Sequence, residues 1–171
     1  MASYDLNATF CCGLTIKGCS VATDLCNNDL RWGTSGTNLC KNIVVDGSTL
    51  SRIDAHRGTY NLTVKDSTMG QYGVYAVGGG DLILDNVTSY AGYFINFRDD
   101  YGGGWFGDVD IKNCTWIRYP GGTKYSKPNS PQLIIGMYDS RVDYLYDVED
   151  GYYCQQPRKI NIDGFTLDLS R

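Results

Sequence analysis

Leu62-Thr63-Val64-Lys65-Asp66-Ser67-Thr68 decides the fold, because the same phrase occurs six times in the chain. It runs apolar, any, apolar, Lys or Asp, then Gly, Asn or Asp, any, and Ser or Thr. The other copies are LTIKGCS at 14–20, IVVDGST at 43–49, LILDNVT at 82–88, VDIKNCT at 109–115 and INIDGFT at 160–166. Alternating apolar residues make a short strand with one buried face. Gly, Asn or Asp then follows, the types that tolerate a left-handed backbone, so each strand ends in a sharp bend. Ser or Thr two residues later can hydrogen-bond locally around that bend.

The second apolar residues, Ile16, Val45, Val64, Leu84, Ile111 and Ile162, are separated by 29, 19, 20, 27 and 51 residues. A period near 20 fits one coil of an all-β, right-handed parallel β-helix, a solenoid in which longer intervals carry insertions. A second strand is expected after each phrase, at 51–57, 73–77 and 93–98. The 51-residue interval is expected to hold two coils, the extra one using Leu133-Ile134-Ile135. All of 1–171 reads as a single domain with a loop-rich part at 118–158, where Pro-Gly-Gly at 120–122 and Lys-Pro-Asn-Ser-Pro at 127–131 stand. Neither terminus carries an obvious cap, so the expectation is a piece of a longer chain, or an assembly that covers the ends.

One detail supports stacking. The residue after the second apolar is Lys17, Asp46, Lys65, Asp85, Lys112 and Asp163, alternating in sign at every copy. Neighbouring coils would place equivalent residues about 4.8 Å apart, so each charge would face its opposite. This ladder reads as structural, with the long interval weakening the pairing of Lys112 with Asp163.

The 171 residues carry a formal net charge of -4, which makes phosphate-backbone binding a poor fit; no nucleic-acid partner is expected. No apolar run is long enough to span a membrane, and Met1-Ala2-Ser3-Tyr4-Asp5 shows no basic region followed by an apolar one, so these residues are not expected to act as a signal peptide. The 7 cysteines, without a C-x-x-C pair, read as reduced, small, mostly buried residues rather than a zinc site. Asn86 and Asn113, although within Asn-x-Thr triplets, sit at the bend position and are better explained by turn chemistry than by glycosylation.

Departures from the repeat are where function is sought. The first, Ser51-Arg52-Ile53-Asp54-Ala55-His56-Arg57-Gly58, holds the only histidine, and alternation puts Asp54 and His56 on one face. A carboxylate beside an imidazole suits general acid/base chemistry, with Arg57 or Arg52 steadying an anion; the bland alternative is a histidine satisfied by its neighbour. The second runs from Arg98, Asp99 and Asp100 through Tyr101 and three glycines to Trp105, rings suited to stacking on sugars. Asp99, Asp100 and Asp108 lack a regular calcium-ligand spacing, so no cofactor is expected, with Ca2+ the weaker alternative. The third, 118–157, interleaves acidic residues with seven of the 14 tyrosines, Tyr144 and Tyr146 among them, and reads as a glycan-binding face or as core and subunit packing.

At Leu50-Ser51-Arg52-Ile53-Asp54-Ala55-His56-Arg57-Gly58, at Gly78-Gly79-Gly80-Asp81-Leu82, and at Arg98-Asp99-Asp100-Tyr101-Gly102-Gly103-Gly104-Trp105, the chain resembles the β-helix portion of phage tail-spike and pre-neck-appendage proteins, within the pectate-lyase-like superfamily. The resemblance covers roughly residues 5–117. It implies a virion-attached, usually trimeric adhesin for a bacterial surface polysaccharide, which many such proteins also cleave. The calcium-and-arginine catalytic motif of pectate lyases has no residue-by-residue match here. Three readings follow: a glycan-binding appendage with Asp54, His56, Arg57, Arg98, Asp99 and Asp100 as acid/base candidates and Tyr101, Trp105, Tyr144 and Tyr146 as sugar-stacking candidates; a polysaccharide lyase or glycoside hydrolase; or an inert spacer. If Asp54 and Arg98 belong to one groove, they should lie on adjacent coils and on the same outer face.

Overall fold

The computed structural model of the protein describes residues 6–21, 34–97, 104–117, 133–136 and 157–169. Among these residues there is no helix, and fourteen strands join in one sheet with every strand pair parallel. Parallel neighbours need a long return path, and in β6 (Thr49–Lys65) and β7 (Thr68–Asp85) nearly all of that return is itself strand.

The strands form three ladders. The six phrases make the first: β2 (Thr15–Lys17), β5 (Lys41–Asp46), the ends of the long strands β6 (Thr49–Lys65) and β7 (Thr68–Asp85), then β10 (Trp105–Lys112) and β13 (Lys159–Asp163). The Ser/Thr that closes each phrase opens the second: β3 (Ser20–Val21), the starts of β6 and β7, β8 (Thr88–Ser89), β11 (Thr115–Ile117) and β14 (Thr166–Asp168). The third joins β1 (Leu6–Thr9), β4 (Thr34–Asn38), the middles of β6 and β7, β9 (Ile95–Phe97) and β12 (Ile134–Gly136). The expected second strands therefore exist within β6 and β7 and at β9.

Alternation builds the core. The two apolar positions of the phrase, Ile43 and Val45, Leu62 and Val64, Leu82 and Leu84, Val109 and Ile111, are buried, as are Ile53, Ala55, Val74, Ala76, Ile95 and Phe97 of the third ladder. Two tryptophans complete it, and each satisfies its indole N–H: Trp105 Nε1 donates to the Gly80 carbonyl at 3.0 Å and Trp116 Nε1 to that of Ala91 at 2.7 Å. Of the cysteines, Cys11, Cys12, Cys19, Cys40 and Cys114 are free thiols. Cys40 and Cys114 pack in the core, where burial pushes the Cys114 thiol up from its ordinary pKa; Cys26 and Cys154 lie outside the described residues.

The bend position behaves as its residue types require. Gly18, Gly47, Asp66, Asn86, Asn113 and Gly164 all have φ between 50° and 65°. The Lys and Asp positions stay in register through the whole series, from Lys17 beside Asp46 to Lys112 beside Asp163, but among the described residues the ladder's ion pairs are those at Asp46, and Lys112 Nζ lies 3.8 Å from Asp110 of its own strand. Asp46 lies 3.3 Å from Lys17 Nζ and 3.5 Å from Lys65 Nζ.

One expectation is corrected. No additional phrase-ladder strand separates the fifth phrase from the sixth, because β10 pairs directly with β13. Ile134 and Ile135 instead enter the third ladder, where they extend β9. A second left-handed column also went unread: Phe10, Leu39 and Gly58, followed three residues later by Gly13, Asn42 and Asn61, all have positive φ at the turn from the third ladder into the next phrase.

Candidate functional site

The outward positions of the third ladder hold the candidate site. Gly36 pairs with Asp54, Asp54 with Tyr75, and Tyr75 with Asn96. Their strand neighbours Ile53, Ala55, Val74, Ala76, Ile95 and Phe97 belong to the core, so this row alternates away from it. Asp54 stands five residues after Thr49, Tyr75 seven after Thr68 and Asn96 eight after Thr88. Extra residues inserted after each corner, with a register shift between Leu50 and Arg52, keep the row aligned.

Asp54 is fully buried, and Arg52 Nη2 lies 3.3 Å from its Oδ2. The Arg52 guanidinium also sits over two rings, 5.4 Å from the Tyr72 centroid and 5.2 Å from that of Tyr75. Burial raises the Tyr75 hydroxyl above the ordinary tyrosine pKa, against the lowering effects of the Arg52 charge and a hydrogen bond from Asn96. Tyr75 is therefore a neutral donor near neutral pH, not a phenolate base. Farther along the same face, His56 Nδ1–H donates to Asn38 Oδ1 at 2.9 Å, since an amide oxygen can only accept. Arg57 is exposed.

Asp54 and His56 share the non-core face, as alternation demands. The enzymatic reading expected Asp54 in an exposed groove, whereas the carboxylate is enclosed with Arg52 as an ion-pair partner. Trp105, expected as a sugar-stacking ring, is corrected to a core residue: it is 0% exposed and offers no face to a ligand. The strand preceding Arg98 does not pair with the strand segment of Asp54, because Tyr75 stands between Asp54 and Asn96. Arg98, Asp99, Asp100, Tyr101, Tyr144 and Tyr146 lie outside the described residues. Among the described residues no group of three or more His, Cys, Asp or Glu is placed to hold a metal ion.

Tyr72, Tyr75, Asn96 and Asn38 were not singled out from the sequence. Counting from each Ser/Thr corner could have found the row only with the offsets of five, seven and eight already known. What the arrangement can do chemically is hold a charged and hydrogen-bonding patch rigidly on one side of the sheet. Among the described residues it supplies one carboxylate, Asp54, where glycoside hydrolysis by the usual route uses two.

Neither a family model nor a solved structure matches the chain. Over 98 residues the chain is 34% identical to a protein of Klebsiella phage P510 described as "Depolymerase, capsule KL64-specific". That stretch is 50% of this chain and 10% of the relative, so the chain spans about a tenth of the length of the protein it matches.

Proposed function

We propose that the chain is a segment of right-handed parallel β-helix from a phage tail spike, carried on the virion, and that it recognises a bacterial capsular polysaccharide. The observation that carries this reading is the 34% identity, across half of the chain, to a capsule-specific phage depolymerase. The three parallel ladders support it, since a chain that returns to all three at intervals of 19, 21 and 20 residues, as it does from β6 to β7, is winding. Recognition is favoured over cleavage at Asp54 because that carboxylate is enclosed and paired with Arg52.

The test is retention of purified capsular polysaccharides, the KL64 type among them, on the immobilised chain, with dextran as the control. Selective retention of one capsule type is the expected result. Retention of none above dextran would overturn the reading. The size and new chain ends of a retained polymer then report cleavage, and mass in solution reports the trimer that the tail-spike resemblance implies.

A further inference from the structure

The large apolar side chains exposed among the described residues fall into two sets. Leu6, Ile160, Ile162, Leu167 and Leu169 lie on or beside β1, β13 and β14, strands at the ends of the ladders. The other four, Phe10, Leu39, Tyr60 and Phe106, all stand where the chain leaves the third ladder and enters the next phrase. Single exposed apolar residues need no explanation, but four gathered at one corner do.

Tyr60 and Phe106 share a register row. Tyr60 pairs with Gly79, and Gly79 with Phe106, which sets the two aromatic Cα atoms two strand spacings apart, about 9.6 Å. They are 52% and 58% exposed. Gly79 adds no side chain between them, and a Cβ there would come within 2.6 Å of the Phe106 carbonyl oxygen, so the row is held to glycine. Gly79 is nevertheless buried, which makes the row a continuous surface rather than a slot. On the other side of Tyr60 the same row continues into Lys41, which is exposed and makes no ion pair among the described residues.

We infer that the Lys41–Tyr60–Gly79–Phe106 row is a saccharide subsite for an acidic stretch of polysaccharide, with pyranose faces on the two rings and a uronate carboxylate at Lys41. The inference rests on the polysaccharide-recognising reading and names the ligand chemistry of a surface separate from the Asp54 row. Flat aromatic faces take the C–H face of a pyranose, and a ring position every second strand suits a polymer running across the strands. The exposed Lys41 supplies the charge complementarity. In a chain of net charge -4, an acidic sugar is repelled by the molecule as a whole and is held only where a local cation meets it.

The experiment uses the full chain labelled with 3-fluorotyrosine and 4-fluorophenylalanine, with the Tyr60 and Phe106 fluorine signals assigned through Tyr60→Phe and Phe106→Tyr. The probes are a tetrasaccharide of alternating glucuronate and N-acetylglucosamine, and cellotetraose as its neutral counterpart. Both signals are expected to shift together, with tighter binding of the acidic probe. Lys41→Gln should remove that preference, weakening the acidic probe roughly threefold at low salt. Tyr60→Ala/Phe106→Ala should weaken a retained capsular polysaccharide about tenfold with the circular dichroism spectrum unchanged. Silent fluorine signals with both probes would overturn the subsite, as would undiminished capsule retention by the double variant. Loss of self-association by that variant, with silent fluorine signals, would reassign the row to subunit contact. Shifted signals without retention of any capsule would support the subsite and sink the capsule reading instead.

Discussion

Arg52→Met should destabilise the protein far more than Arg52→Met combined with Asp54→Leu. Asp54 is 0% exposed and Arg52 only 14%, with their charged atoms 3.3 Å apart. Methionine keeps much of the length of the arginine stem and its packing on Tyr72 and Tyr75, but leaves a buried carboxylate without its guanidinium. Breaking a buried pair from one side costs about 3–5 kcal/mol, whereas replacing both partners by apolar residues is often neutral or better. The double variant still loses the cation over two rings, about 0.5–2 kcal/mol. A net coupling of about 2–4 kcal/mol is therefore expected between the two positions. For a chain of this size the single variant should melt about 6–20 °C below the parent. Urea melts followed by tryptophan fluorescence suit the measurement, because Trp105 and Trp116 are both buried. If Arg52→Met lies within about 1 kcal/mol of the parent, and the double variant is no better, then the enclosed carboxylate does not depend on Arg52 and the reasoning fails. A stable double variant also gives the clean functional test: lost capsule retention would assign the pair to binding, and unchanged retention would assign it to the scaffold.

Gly107→Ala should fail to give a native fluorescence spectrum, because the new Cβ would lie 1.9 Å from the Gly80 carbonyl oxygen, the same oxygen that accepts from Trp105 Nε1. Burial pushes the Asp46 carboxyl up, but hydrogen bonds and charge from Lys17 and Lys65 outweigh it and hold the pKa below the ordinary aspartate value. A depressed folded pKa stabilises above the ordinary value and ceases to do so as pH falls through the depressed one. Asp46→Asn should accordingly have a lower urea midpoint than the parent near neutral pH, with the difference closing below pH ~4 and shrinking in high salt. At Asn86, with φ of 54°, Asn86→Val should cost about 1–2 kcal/mol while Asn86→Gly stays near neutral in the same melts; equal losses would mean that the side-chain bond to Asp66, at 2.7 Å, matters more than the backbone.

The phrase was legible because three constraints act on it at once. Its apolar positions must face the core, its fifth residue must accept a left-handed backbone, and its fourth must meet an opposite charge in the next copy. Each constraint recurs with the fold, so six copies reveal it. The turn column of Phe10, Leu39 and Gly58 obeys the same backbone rule but was hidden, since phenylalanine and leucine are poor signals for positive φ. Trp105 misled for a related reason. A tryptophan after a glycine run reads as a loop residue, yet the glycines at 78–80 on β7 pair with Trp105, Phe106 and Gly107, and the indole turns inward to the Gly80 carbonyl.

The candidate site was hardest to read because outward positions carry no repeated constraint. Asp54, Tyr75 and Asn96 differ in chemistry and in distance from their corners, and only the register makes them one row. The same logic explains how the chain tolerates unequal intervals. Its surplus residues fall between β3 and β4, between β9 and β10, and on both sides of β12, while the register of the phrases runs unbroken from Lys17 to Asp163. Closing a longer loop costs little, about 0.6 kcal/mol per doubling of length. Losing the register of a phrase would turn its apolar pair out of the core and put like charges side by side. Variation is therefore cheap at the corners and costly on the ladder, so the exposed surface can change at the corners, where Tyr60 and Phe106 are exposed, without disturbing the strand ladders that hold it.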